Sequence, residues 1–170
     1  MDAQLRRECI LNEINRQNKP VAASLLAEKL NVSRQVIVGD VALLRAKGHE
    51  IIATSRGYII QSAGLANQYL GKIACCHAPE ETKNELYIVV DLGATVVNVT
   101  VEHGFYGEIT GCLNLASRED VDAFIDKVDS SEIKLLSELA MGVHLHTIAC
   151  RDKPHFEEVC SALEASGYLY

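Results

Sequence analysis

The sequence predicts an α+β chain in two parts: a small helical head with a β-hairpin over residues 1–60, and a two-layer α/β sandwich with a mostly antiparallel sheet over residues 71–170, joined by a linker over 61–70. Three observations predict it. Apolar residues recur at helical spacing three times before residue 48, and two short β-prone runs follow. Beyond residue 70 the pattern changes to alternating strands and helices in the order β-α-β-β-α-β-α. Charge divides at the same place: the first 60 residues hold nine Lys/Arg against six Asp/Glu, and the rest hold seven against seventeen.

In the head, Leu5, Cys9, Ile10 and Ile14 set a first helix from Ala3 to Arg16. A second helix spans Ala23 to Leu30 and is expected to bury Leu25, Leu26 and Leu30. Asn31-Val32-Ser33 makes a tight turn, with Ser33 placed to cap a third helix from Arg34 to Lys47 that stops at Gly48. Glu50 to Thr54 and Tyr58 to Ile60 flank Ser55-Arg56-Gly57 as a hairpin. Three helices and a hairpin read as a winged helix-turn-helix, a DNA-binding arrangement whose third helix enters the major groove.

The third helix buries Ile37, Val41 and Leu44, so Gln35, Gly39, Ala42 and Ala46 form the opposite face. That face is small enough to approach base edges. Ser33, Arg34, Gln35 and Val38 on this helix, with Arg56 at the hairpin tip, are the expected DNA-contacting residues. A carboxamide pairs with adenine in two bonds, and a guanidinium suits guanine or phosphate. One reading helix per protomer gives a short site, so a homodimer on a near-palindromic double-stranded operator is expected.

In the second part the strands are expected at 72–77, 95–103, 107–116 and 142–149, and the helices at 82–92, 118–128 and 153–166, with a short helical piece near 132–140. His144 and His146 are two apart on a strand, which aims both imidazoles to one face. His77 ends an earlier strand and Glu85 lies one turn into the next helix, so three nitrogens and a carboxylate can converge on zinc, nickel or ferrous iron. A competing reading makes Thr82-Lys83-Asn84-Glu85 a capping box that uses Glu85 on the backbone. Cys75 is a possible fifth ligand or a packed thiol, and His103 is a possible partner for a bound carboxylate or a turn residue.

The six cysteines lack C-x-x-C spacing and read as reduced thiols, and no apolar run approaches the roughly 18 residues of a membrane span. With no signal-peptide pattern at the N-terminus, a cytoplasmic location and no membrane partner are expected.

Five motifs together resemble the niacin-responsive transcription repressors (NiaR), which join a winged helix to a three-histidine (3H) domain. They are Asn31-Val32-Ser33-Arg34-Gln35-Val36-Ile37-Val38 with Asp40; Ile52-Ala53-Thr54 with Arg56-Gly57-Tyr58; His77-Ala78-Pro79-Glu80 with Glu85; Glu102-His103 with Tyr106-Gly107-Glu108; and Gly142-Val143-His144-Leu145-His146-Thr147. The resemblance implies an HPr-like second domain and a homodimeric, non-enzymatic repressor of NAD-synthesis or niacin-uptake genes. It also implies nicotinic acid as co-repressor, with His103 and Tyr106 near the effector, and a divalent metal on His77, Glu85, His144 and His146. Two rival readings of the histidines are a metal sensor with no organic effector and a metal-dependent hydrolase carrying a DNA anchor. Two departures from the family pattern bear on specificity: Gly39 replaces a long polar residue, and His103-Gly104-Phe105-Tyr106-Gly107 replaces His-Pro-Val-Tyr-Gly.

Overall fold

The computed structural model describes residues 2–60, 68–131 and 134–170, and the chain divides into two compact units, residues 1–64 and 65–170. The expected linker residues Gln61-Ser62-Ala63-Gly64 lie outside the described residues.

The first unit contains α1 (Ala3–Asn15), α2 (Ala23–Leu30), α3 (Arg34–Ala46) and a hairpin of β1 (Ile51–Thr54) and β2 (Gly57–Ile60). Local chemistry marks each boundary. The Asp2 carboxylate accepts from the Gln4 N–H at the start of α1, Asn31 ends α2 in the left-handed region (φ 52°), and the Ser33 hydroxyl accepts from the Val36 N–H to start α3. Ile10, Ile14, Leu26, Ile37, Val41, Leu44 and Ile51 form one buried cluster. Leu25 corrects the expectation: it is half exposed, because Leu26 and Leu30, four residues apart, share the inward face of this two-turn helix and Leu25 falls beside it. Leu5 is likewise exposed at the outer end of α1.

The hairpin is pinned to the helices through Val21, whose N–H and C=O bond the Tyr58 backbone at 2.8 and 2.9 Å. Gly57 makes this approach possible: its φ is 142°, and a Cβ there would sit 2.2 Å from the Val21 oxygen.

The second unit contains β3 (Tyr69–Cys76), α4 (Thr82–Asp91), β4 (Thr95–His103), β5 (Gly107–Leu115), α5 (Arg118–Asp129), β6 (Val143–Cys150) and α6 (Lys153–Ala165), with short 3₁₀ turns at Pro79–Glu81 and Leu136–Ala140. The sheet order is β3-β6-β4-β5, antiparallel throughout. β3 begins at Tyr69, which pairs with Cys150, so the sheet claims the last two residues assigned to the linker. Of the helical piece expected near 132–140, residues 136–140 are the 3₁₀ turn, and 132 and 133 lie outside the described residues.

Ile73, Val96, Leu113, Leu115 and Ile148 from the sheet pack with Leu86, Val89, Val121, Val159 and Leu163 from the helices. A register shift between Val96 and Asn98 lets Val96 and Val101, an odd number of residues apart, both be buried. At the outer edge of β3 the chain end adds a short extended segment. The Cys76 N–H bonds the Tyr168 carbonyl, and the Tyr170 N–H bonds the Ala74 carbonyl, both at 3.0 Å.

Candidate functional site

Each unit carries one candidate site. In the first, α3 presents Arg34, Gln35, Gly39, Ala42 and Ala46 to solvent, with Val38 half-buried and Arg56 half-buried in the β1–β2 turn. A Cβ built on Gly39 would meet nothing within 4 Å, so the packing of this unit does not require glycine there. Asp40, which the sequence offered only as part of a family motif and without partners, points the other way. Its buried carboxylate accepts from Arg6 Nε at 2.5 Å and Arg7 at 3.2 Å, fixing α3 against α1.

In the second unit, β6 carries His144 and His146 to the helix-covered side, where the register sets Cys75 opposite His144 and Ile73 opposite His146. α4 delivers Glu85 to the same place, and His77 follows directly after β3. Glu85 is fully buried. His77 Nε2 lies 2.7 Å and His144 Nε2 3.4 Å from its Oε2, and His146 Nε2 lies 3.5 Å from its Oε1. The capping-box reading fails: the start of α4 has no side-chain cap, the buried Thr82 hydroxyl has no hydrogen-bond partner among the described residues, and the Glu85 carboxylate faces the imidazoles instead.

The far side of each ring settles what the near side can do. Nδ1 of His77, His144 and His146 lies 2.9, 2.8 and 2.8 Å from the carbonyls of Ala78, Gly142 and Asn98. A carbonyl only accepts, so each Nδ1 carries a proton, and in the neutral ring each Nε2 then points a lone pair at Glu85. Three lone pairs around a carboxylate repel unless a proton or a cation sits among them. Glu85 Oε1 is buried without a hydrogen-bond partner among the described residues, a cost that a cation removes. Ligands about 2.0–2.1 Å from a tetrahedral ion are roughly 3.4 Å apart, close to the His144 and His146 separations from Glu85. The donor types suit a divalent metal: Cys75, Glu85 and His144 offer ligand atoms within 4.8 Å of one another, and His77 and His146 each approach the Glu85 carboxylate.

Burial opposes the charge on Glu85, but His146, His144 and His77 override it and hold its carboxyl far below the usual range. Burial also opposes protonation of His77, yet the bond to Glu85 raises it above the ordinary histidine value. Burial, reinforced by Glu85, pushes the Cys75 thiol strongly upward. Its sulfur lies within 4.8 Å of a Glu85 oxygen and a His144 nitrogen.

A cleft of about 550 Å³ opens beside His77, lined by Pro79, Ser137, Glu138, Met141 and Gly142. Gly142 (φ 89°) allows the start of β6 to pass His77, since a Cβ there would lie 2.8 Å from the His77 carbonyl oxygen. His103 and Tyr106 lie in the β4–β5 turn, 5.1 Å apart by ring centroids, with Tyr106 exposed. No described contact joins them to the histidine cluster. The register runs Val99 opposite His146, so His103 lies about 7 Å along the strand from the level of His144. Sequence reasoning missed Tyr168, whose ring meets His77 edge-on at 5.5 Å.

Among the described residues, no helix is long and apolar enough to cross a membrane. Residues 6–59 match the HTH domain family and residues 71–170 match the 3H domain family. The chain is 42% identical over 166 residues to the transcription repressor NadR of Bacillus subtilis, a match covering 96% of this chain and 92% of that protein. It is also 42% identical over 166 residues to a probable transcription repressor NiaR of Thermotoga maritima, covering 98% and 94%. A helix-turn-helix unit with an open reading face, followed by a 3H unit and matched along nearly its whole length, makes this chain a member of the NadR/NiaR family of transcription repressors, a DNA-binding regulator and not an enzyme.

Proposed function

We propose that this protein represses genes of NAD synthesis or niacin uptake, with nicotinic acid as co-repressor and a divalent metal (nickel, zinc or iron) held by His77, Glu85, His144 and His146. The observation that carries the reading is the convergence of three imidazole Nε2 atoms on the buried Glu85 carboxylate, each ring fixed from behind by a carbonyl. When bound, the ion supplies a Lewis-acidic positive point to a carboxylate-bearing ligand.

The protein's own residues supply the rest. The cleft beside His77 is large enough for a pyridine carboxylate, and His103 and Tyr106 line the same end of the sheet. Ligand binding there would favour the homodimer geometry in which two copies of α3 meet successive major grooves of one operator, Arg34 and Gln35 reading bases while Ser33, Val38 and Arg56 fix the approach. Operator affinity is to be measured with and without nicotinate at fixed salt and metal. Tightening by nicotinate is expected, and an unchanged affinity overturns the co-repressor. Chelation at constant nicotinate then tests the metal.

A further inference from the structure

Of the four proposed ligands, His77 is the one that no long element holds. Glu85 sits in α4 and His144 and His146 sit in β6, whereas His77 occupies the irregular stretch between the end of β3 at Cys76 and the turn at Pro79. Within its own segment its ring is held by the bond from Nδ1 to the carbonyl of Ala78, an adjacent residue that moves with it.

We propose that Tyr168 is a positioning residue for His77, which makes the extended C-terminal segment Tyr168–Tyr170 part of the metal centre. The inference rests on the metal reading above. Five contacts argue for it. The Tyr168 ring meets the His77 ring at 5.5 Å with planes 76° apart, an edge-to-face arrangement that fixes the imidazole from the flank. The Tyr168 hydroxyl donates to Glu81 Oε2 at 2.6 Å, and Asn84 donates to the same oxygen at 3.3 Å. The Tyr168 carbonyl accepts from the N–H of Cys76, the residue before His77. Leu169 bridges Cys75, one residue further back. Tyr168 therefore grips the His77 segment from before it, through the backbone, and from after it, through Glu81, while its ring sets the side chain between.

Outer partners of metal ligands change affinity by roughly 10–100-fold when removed. The test uses the full chain stripped of metal and titrated with Co²⁺, followed by its d–d absorption, for the wild type, Tyr168→Leu, Tyr168→Phe and His144→Ala. Tyr168→Leu is expected to bind Co²⁺ about 10–100-fold more weakly with a changed d–d band, and its far-UV circular dichroism is expected to match the wild type. Tyr168→Phe keeps the ring and loses only the bond to Glu81, so a smaller loss with a shifted band is expected. If Tyr168→Leu does not fold, Tyr168→Phe decides. Wild-type affinity and an unchanged spectrum in the folded variants overturn the positioning role. Absence of Co²⁺ binding by the wild type, or undiminished binding by His144→Ala, overturns the metal reading itself.

Discussion

Glu85 Oε2 and His144 Nε2 lie 3.4 Å apart across 59 residues of sequence, and both side chains are buried. On the proposed metal reading, removing either should abolish tight metal binding. Glu85→Gln keeps the volume but replaces the charge with an amide that presents N–H groups to lone pairs. Metal affinity, read by isothermal titration, is expected to fall by more than the roughly 100-fold that outer partners command.

On the proposed metal reading the ion binds the folded unit and not the unfolded chain, so chelation should lower the melting temperature. At metal 100-fold above its dissociation constant the stabilisation is about 2.7 kcal/mol. That is roughly 10–20 °C for a unit of this size at 4–8 °C per kcal/mol. Differential scanning calorimetry with and without a chelator measures it, and unchanged curves contradict a bound ion.

The metal-free and metal-loaded proteins should respond to pH in opposite directions. His77 is raised, so its contribution is full below the ordinary histidine value of 6.5 and is lost as pH rises through its folded value. Glu85 is lowered, so its contribution is present above 4.5 and is lost as pH falls through its folded value. The metal-free pair therefore stabilises most between those limits and weakens above them. Metal affinity should climb over the same rise, because ligation needs neutral imidazoles. Denaturant unfolding and metal titration across pH 5–8 (roughly the range in which histidine titrates) test both signs.

Gly39 lies in the interior of α3 with open space around its missing Cβ. Gly39→Ala should stabilise the first unit by about 1 kcal/mol from helix propensity alone. Gln35→Ala is expected to cost about 1–3 kcal/mol of operator binding and to relax preference at one base position, as read by affinity against a panel of single-base operator variants.

Much of this was legible in residue spacing. The 3.6-residue recurrence placed α1 to α3, and the two-residue spacing of His144 and His146 put both rings on one face before any sheet existed. What escaped was long-range. Nothing near Asp40 in sequence announces Arg6 and Arg7 as its partners. Nothing near His77 announces Tyr168, because that contact depends on the chain end returning along β3. Leu25 misled because apolar composition does not report on which side of a two-turn helix a residue falls.

All three imidazoles are held from behind by main-chain carbonyls of Ala78, Gly142 and Asn98. A carbonyl survives any substitution that preserves the local backbone, so side-chain drift around His144 and His146 can alter packing without deleting their anchors. His77 leans additionally on the side chains of Tyr168 and, through it, Glu81. The centre thus combines a mutationally robust half with one evolvable corner, and that corner borders the cleft where ligand selectivity would be retuned.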